Sequence, residues 1–318
     1  AALTDPGPAP GPLARARAMA PYLAYRAGSV VARRVPLAAT EFAAFRGGPL
    51  LARVLPARAA MLERHLRRVQ APGLAGHELK AAVARSLSSY ARYWLESFRL
   101  PGTTPAELAA SMTSEGLEHV DKGLAAGNGV ILALPHLGGW DFGGAWLASL
   151  GYRVVAVVET VEPPVLFDWF AALRRSLGIE VVALGPAVGA TVLRRLREGA
   201  VVALVCDRDI GGTGVEVEFF GERTRLPAGP AAMALRTGAA LLPSAVYFRG
   251  RRGHHAVMGP ALSVERQATL RVDVGRVTQL LAYELESLVR RAPEQWHLLQ
   301  PNWPSDAADV AAPVGPPR

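Results

Sequence analysis

Gly129-Val130-Ile131-Leu132-Ala133-Leu134-Pro135-His136-Leu137-Gly138-Gly139-Trp140-Asp141-Phe142-Gly143-Gly144 changes its periodicity half-way along. The first part is a continuous apolar run opened by glycine, the pattern of a strand buried on both faces. It stops at Pro135, and helical spacing follows. A helix starting at about Gly138 or Gly139 places Asp141 in its first turn, where exposed N–H groups and the macrodipole favour a carboxylate. His136 lies just outside the same positive end, which disfavours imidazolium, so the spacing predicts a neutral ring able to accept a proton, with Asp141 as its orienter. The intervening glycines leave no side chains over the site.

Outward from this box, short strands alternate with helical segments. Strands are expected at Arg153 to Glu159, Glu180 to Leu184, Val201 to Cys206 and Ala239 to Phe248, with helices at about Val165 to Leu177, Val188 to Glu198, Gly229 to Thr237 and Val272 to Arg290. Such alternation predicts an α/β fold, a central and mostly parallel β-sheet flanked by helices. Upstream, Leu79 to Phe98 reads as a helix with an aromatic core stripe, and about Pro105 to Ala126 as a second one. His254-His255 reads as the tip of a hairpin in an arginine-rich loop.

From Leu13 to Met61 arginines alternate with apolar and aromatic residues such as Tyr22, Tyr25, Phe42, Phe45 and Leu50. This gives an N-terminal helical region with a basic face, able to dock on an anionic membrane or to pack on the main domain. The expected organisation is a disordered lead-in over 1–12 and a single domain over 13–310. Within that domain 13–126 is mainly helical and 127–303 is the α/β core, and a disordered tail covers 311–318.

The chain has 318 residues, half of them hydrophobic, and a formal net charge of +8. Lys80 and Lys122 are its only lysines, so the positive charge is almost all arginine, suited to phosphate in a lipid, a cofactor or a nucleic acid alike. The single cysteine, Cys206, excludes an internal disulfide and any zinc site built on two cysteines of this chain. No apolar run is long enough to span a bilayer, and the first residues lack the form of a secretory signal, so the expected location is cytoplasmic. Gly211-Gly212-Thr213-Gly214 lacks the Gly-Lys-Ser/Thr ending of a phosphate-binding loop and reads as a turn.

Several ordered motifs together carry a resemblance. The segment from Leu134 to Asp141 is similar to the His-x4-Asp box of bacterial glycerolipid and lipid A acyltransferases, and most closely to that of actinobacterial phosphatidylinositol mannoside acyltransferases. Val205-Cys206-Asp207-Arg208-Asp209, the stretch from Gly214 to Glu222, Leu226 to Ala231, and Trp296-His297-Leu298-Leu299-Gln300-Pro301-Asn302-Trp303 resemble the later boxes of that family.

The resemblance implies an O-acyltransferase that moves a long fatty acyl chain from acyl-CoA, or acyl carrier protein, to a glycolipid hydroxyl, the mannose 6-hydroxyl of a phosphatidylinositol mannoside. His136 is then the general base and Asp141 its orienter. Asp207, where mycobacterial relatives carry glutamate, is the third catalytic carboxylate, supporting either the catalytic histidine or the sugar, with Asp209 as a substitute if the shorter side chain falls short. Glu159, Arg174, Arg208 and Arg236 are the implied substrate-binding residues, with Arg174 held either by the carrier's phosphate or by Glu159. No cofactor or metal is implied. The expected partners are acyl-CoA, the glycolipid acceptor and the inner face of the plasma membrane, touched peripherally by a monomer; nucleic acid is not among them.

Two other readings compete. A metal-dependent hydrolase would use His136, Asp141, Asp207 and Asp209 as ligands and would lose activity to chelators. A non-catalytic basic module binding lipid or nucleic acid would survive His136→Ala and fail on charge reversal between Arg15 and Arg34.

Overall fold

The computed structural model describes residues 12–70 and 73–306. The expected lead-in and tail lie outside that range, except Pro12, which opens the first helix. Helices α1 (Pro12–Arg34), α2 (Leu37–Arg46), α3 (Gly48–Val54) and α4 (Pro56–Val69) all pack against the long α5 (Gly76–Arg99). Leu62 and Leu66 of α4 with Leu79 and Leu87 of α5 make a core that α3 joins through Leu51 and Ala52. The outer faces keep apolar side chains in the open: Leu23, Val31, Phe42, Leu50 and Val54 are each more than half exposed. Among the described residues no helix is long and apolar enough to cross a membrane.

The rest of the chain builds a seven-stranded sheet. In chain order come α6 (Pro105–Ser111), β1 (Met112–Glu115), α7 (Leu117–Ala125), β2 (Val130–Leu134), α8 (Trp140–Ser149), β3 (Val154–Val158), α9 (Pro164–Arg175), β4 (Glu180–Ala183), α10 (Val188–Arg197) and β5 (Val201–Val205). The antiparallel hairpin β6 (Val215–Phe219) and β7 (Glu222–Leu226) stands apart from the sheet. Then follow α11 (Gly229–Thr237), β8 (Ala240–Arg249), β9 (Gly253–Met258) and α12 (Leu270–Arg291). The strand order is β1-β9-β8-β2-β5-β3-β4, with β9 antiparallel to β8 and every other pairing parallel. This is the mostly parallel, helix-flanked sheet expected from the alternation of elements.

Every residue of β2 is buried, and successive residues feed opposite cores. Ile131 and Ala133 join the layer that includes Leu196 and Leu285, whereas Val130, Leu132 and Leu134 join the layer that includes Phe142, Trp146 and Leu147 of α8. A strand two-sided in this way has no polar face, which is why its sequence does not alternate.

Three segments differ from expectation. The helix anticipated over 105–126 is two helices and a strand: Thr104 and Glu107 form a capping box that starts α6, and Gly116 ends β1 at φ 81°. A Cβ on Gly116 would come within 1.9 Å of the Met258 carbonyl oxygen, so only glycine lets the chain turn against β9 there. The β6–β7 hairpin has no counterpart among the expected elements; it packs on α12, where Gln279 bonds the backbone of Glu218 at both N–H and C=O. His254 and His255 are not a hairpin tip but part of β9, and His254 is buried against Glu96 at 2.8 Å.

Candidate active site

The sheet's C-terminal edge is where parallel strands deliver ligand-binding loops, and the β2–α8 junction lies there. Leu134 ends the strand, and the chain after His136 is pinned from two sides. Gly138 N–H bonds the Gln295 carbonyl and Gly139 N–H the Val246 carbonyl, both at 2.9 Å. Gly138 sits at φ +61°, and a Cβ there would meet the Val246 oxygen at 2.0 Å, so this turn needs glycine. Helix α8 then starts at Trp140, with Asp141 in its first turn as expected.

The histidine's carboxylate partner is Asp207. Asp207 Oδ1 lies 2.6 Å from His136 Nδ1, and its Oδ2 accepts from the His136 amide at 3.0 Å and from the Trp296 indole N–H at 2.7 Å. An ionised carboxylate only accepts, so the proton belongs on Nδ1, and Nε2 carries the lone pair. Burial alone would raise the Asp207 carboxyl. The charge of His136 and the hydrogen bonds from the ring, the indole and the amide bring it below its ordinary value instead.

Asp141 has a different partner set, which corrects the expectation that it orients the ring. Its Oδ1 accepts from Arg174 Nε at 2.8 Å, and its Oδ2 from Arg174 Nη2 at 3.1 Å and from the Tyr93 hydroxyl at 2.7 Å. No hydrogen bond or ion pair joins it to His136. On the first turn of α8 its side chain points to α5 and α9, whereas His136 sits on the loop before the helix and turns to the end of β5.

Arg174 therefore pairs with Asp141 and not with Glu159. Burial works against its charge, and Asp141 and Tyr93 more than restore it. Burial and the neighbouring Asp141 charge push the Tyr93 hydroxyl well above its ordinary value, so it stays a donor. Tyr93 also stacks on Trp140, ring centroids 4.0 Å apart, and Trp140 meets the His136 ring edge-on at 5.7 Å. The box thus contributes its two ends to two adjoining clusters.

Glu159 pairs instead with Arg208 at 2.9 Å. Asp209 closes the loop after β5, accepting from Gly211 N–H at 3.2 Å and Gly214 N–H at 2.7 Å, so it does not replace Asp207. Arg236 is exposed and lines no part of the cavity described below, a correction to its expected place in the pocket. Ala231 and Ala234 are the buried face of α11, and two residues beyond Ala234 the helix has turned through about 200°, away from the sheet. Asp141 and Asp209 are each committed elsewhere, so the four ligands of the hydrolase reading do not converge. Among the described residues no group of three or more His, Cys, Asp or Glu side chains is placed to hold a metal.

The cavity, about 700 Å³, opens at His136 and is bordered by Glu159, Arg174, Arg208 and Asp209. One arm is apolar, running between the sheet and α8. Leu132 and Leu134 of β2, Ala203 of β5, Ala156 of β3, Ser244 of β8 and Met258 of β9 line it on one side. Gly143, Gly144 and Leu147 line it on the other. The arm touches five adjacent strands, which at ~4.8 Å between neighbours is about 19 Å of width.

His297, which the sequence marks only as part of the C-terminal motif, lines the same cavity. Its ring is buried; Nε2 lies 2.9 Å from Ser89 Oγ and Nδ1 has no protein partner. Burial, then the charge of His136, lowers its pKa to about 3, so it is a neutral neighbour of the dyad. Its amide donates to the His136 carbonyl at 2.6 Å. Trp296, Tyr93 and Trp140 were also read as packing or signature residues only; the signal that marked Trp296 and His297 was their place in a quoted motif.

The sequence model of the bacterial lipid A biosynthesis acyltransferases matches residues 14–305. The chain belongs to this family. It is similar to the phosphatidylinositol mannoside acyltransferase of Mycobacterium tuberculosis strain H37Rv, 44% identical over 232 residues that cover 71% of this chain and 72% of that protein. The corresponding protein of Mycolicibacterium smegmatis is 40% identical over 230 residues, 71% of this chain and 74% of the relative. The lipid A biosynthesis acyltransferase of Haemophilus influenzae is 28% identical over 186 residues, 57% and 55% of the two chains. An acyltransferase of this family takes an acyl donor and a lipid acceptor, and both needs find a counterpart here: a proton-accepting nitrogen and an apolar recess that meet at one mouth.

Proposed function

We propose that this acyltransferase moves a long fatty acyl group from acyl-CoA to a sugar hydroxyl of a glycolipid, the mannose 6-hydroxyl of a phosphatidylinositol mannoside. The observation that carries the chemistry is the 2.6 Å contact between His136 Nδ1 and a fully buried Asp207, on a ring that lines the mouth of an apolar cavity. The acceptor is read from the relatives, which bear that name at 40–44% identity.

With the donor's tail in the arm beneath α8, its thioester carbonyl lies near His136. Nε2 takes the proton of the acceptor hydroxyl as that oxygen forms a bond to the thioester carbon. The tetrahedral intermediate collapses with cleavage of the C–S bond, and the imidazolium returns its proton to the departing sulfur. Asp207 holds the ring in one tautomer and stabilises its charge during the step. Asp141, with Arg174 and Tyr93, fixes the first turn of α8, which carries the Trp140 ring beside the base. His136, Asp141 and Asp207 keep catalytic or supporting roles in this reading. Glu159 and Arg208 line the polar mouth where a sugar or a carrier phosphate would lie.

The exposed apolar side chains of α1 to α3 stand among Arg26, Arg33, Arg34, Arg46 and Arg53, with Glu41, itself buried, as the one acidic residue from 17 to 58. That composition suits peripheral contact with the anionic inner face of the plasma membrane, from which the lipid acceptor is collected.

Purified protein incubated with a radiolabelled long-chain acyl-CoA and purified phosphatidylinositol mannosides is expected to label the mannose 6-hydroxyl. His136→Ala should reduce transfer at least ~10²-fold with the fold intact. Label appearing only as free fatty acid, or near-normal transfer by the variant, would rule the proposal out.

A further inference from the structure

We propose that Trp296 is a positioning residue for the acyl transfer read from this site, on which the inference rests: its indole N–H sets the rotation of the Asp207 carboxylate that orients His136.

The two oxygens of Asp207 do different work. Oδ2 is shared by the indole N–H at 2.7 Å and the His136 amide at 3.0 Å, which leaves Oδ1 for the ring nitrogen. A carboxylate rotates easily about its last bond, and a second donor on Oδ2 is what selects one setting. Trp296 has no freedom to follow a misplaced carboxylate. It is 2% exposed, with ring centroids of His65, Phe220 and Phe219 at 5.4, 5.6 and 6.2 Å. All of those contacts are to ring faces and edges, so the directed interaction of Trp296 is the bond to Asp207.

The segment that carries Trp296 touches both halves of the dyad. Leu137 and Trp296 form a backbone bridge, His297 N–H bonds the His136 carbonyl, and Asn302 Nδ2 bonds the Asp207 carbonyl at 3.0 Å. Its far end is tied down by Asp306. That buried carboxylate accepts from the amides of Asn302 and Trp303 at 2.9 and 3.1 Å and forms an ion pair with Arg68 at 2.8 Å. One short stretch of chain therefore sets base and carboxylate relative to each other, and the indole is its contact with the reactive geometry.

A packing role and a positioning role predict different things when only the N–H is removed. Replacing Trp296 with 3-(3-benzothienyl)alanine keeps the shape and exchanges the N–H for sulfur; Trp296→Phe is the simpler variant, and the isostere decides the matter if that one does not fold. With a long-chain acyl-CoA and a purified phosphatidylinositol mannoside as substrates, the isostere is expected to lower kcat ~10-fold or more, with KM changed less than about 2-fold. Asp207 with one donor fewer holds the imidazolium proton more firmly, so the acid limb of kcat against pH should move to higher pH. The other charged and titratable groups around the dyad are His297 from the C-terminal segment, Arg208, Asp209 and Glu159 at the ends of β5 and β3, and the Asp141–Arg174 pair on α8 and α9. The replacement leaves all of them in place. In an Asp207→Ala background the isostere should cost nothing further, because no carboxylate is left for the indole to orient. Full kcat with an unshifted limb, or losses that multiply with Asp207→Ala, would overturn the inference while the dyad reading stands. Retention of transfer by His136→Ala would remove both.

Discussion

His136 and Asp141 are five positions apart and end in different clusters, and that separation makes distinct predictions for the two carboxylates. Asp207→Asn leaves an amide beside Nδ1, and its NH2 turns the ring toward the wrong tautomer. Acyl transfer should fall by ~10² or more while the affinity for donor changes little. Asp141→Asn instead strands a buried guanidinium. Its Arg174 partner is only 15% exposed, so the expected outcome is a loss of about 2–3 kcal/mol in unfolding free energy, together with slower transfer as Trp140 loses its support. Denaturant titration and steady-state rates on both variants separate the roles: equal stability losses, or a larger rate effect at 141 than at 207, would contradict the division.

At the scale of elements, the junction of β2 and α8 depends on close backbone approach. Gly138→Ala adds a methyl group where an oxygen already lies at 2.0 Å and forces a left-handed backbone on alanine; a destabilisation of about 2 kcal/mol or more is expected by thermal or chemical unfolding. The two glycines inside α8 act on the cavity. A Cβ at Gly143 would press Val246 at 2.5 Å, but at Gly144 it would meet only the Cδ1 end of the buried Ile179 side chain, at 3.0 Å. Gly144→Ala asks for only a small shift of that methyl group, so it should fold and narrow the apolar arm. The rate ratio of a short to a long acyl-CoA should rise, and an unchanged ratio would mean that the tail does not lie beneath α8. Fold class and most elements after Gly129 were legible because strand and helix periods are local properties of the chain. The β6–β7 hairpin and β9 are not among the expected elements, although Val215 to Phe219 alternates apolar and acidic residues, the period of a half-buried strand; the short β1 has no such pattern, and its edge is set by its pairing with β9.

For the whole molecule, buried carboxylates contribute to the response to acid, two of them at or near the site. Asp207 and Asp306 both sit below the ordinary carboxyl value. Burial opposes the shift at each site, and hydrogen bonds and cationic partners, including His136 for Asp207 and His65 and Arg68 for Asp306, more than overcome it. A depressed pKa stabilises the folded state in full above the unfolded value of about 4, and that contribution drains away as pH falls below it. The thermal midpoint should drop below about pH 4, and Asp306→Asn should flatten part of that drop. At neutral pH, vesicles rich in anionic lipid should bind the protein more tightly than neutral ones, with the difference shrinking as salt rises. Equal binding to both kinds would remove the basic N-terminal face as a membrane contact.

The sequence by itself determined the buried central strand, the helix that follows it, the alternating architecture and the histidine at their junction. Each of these is written in hydrophobic period, glycine placement or a compact motif, within a few residues of where it acts. Which carboxylate serves that histidine was settled by tertiary structure, the family resemblance having left Asp207 between the histidine and the sugar. Asp207 is 71 residues beyond His136, and the tryptophan that holds Asp207 is 89 further on. Parallel pairing of β2 with β5 brings the first two to one sheet edge, and the packing of the C-terminal segment against α4 and α5 brings the third. Asp141, nearest in sequence, is turned away by the rotation of the helix it begins.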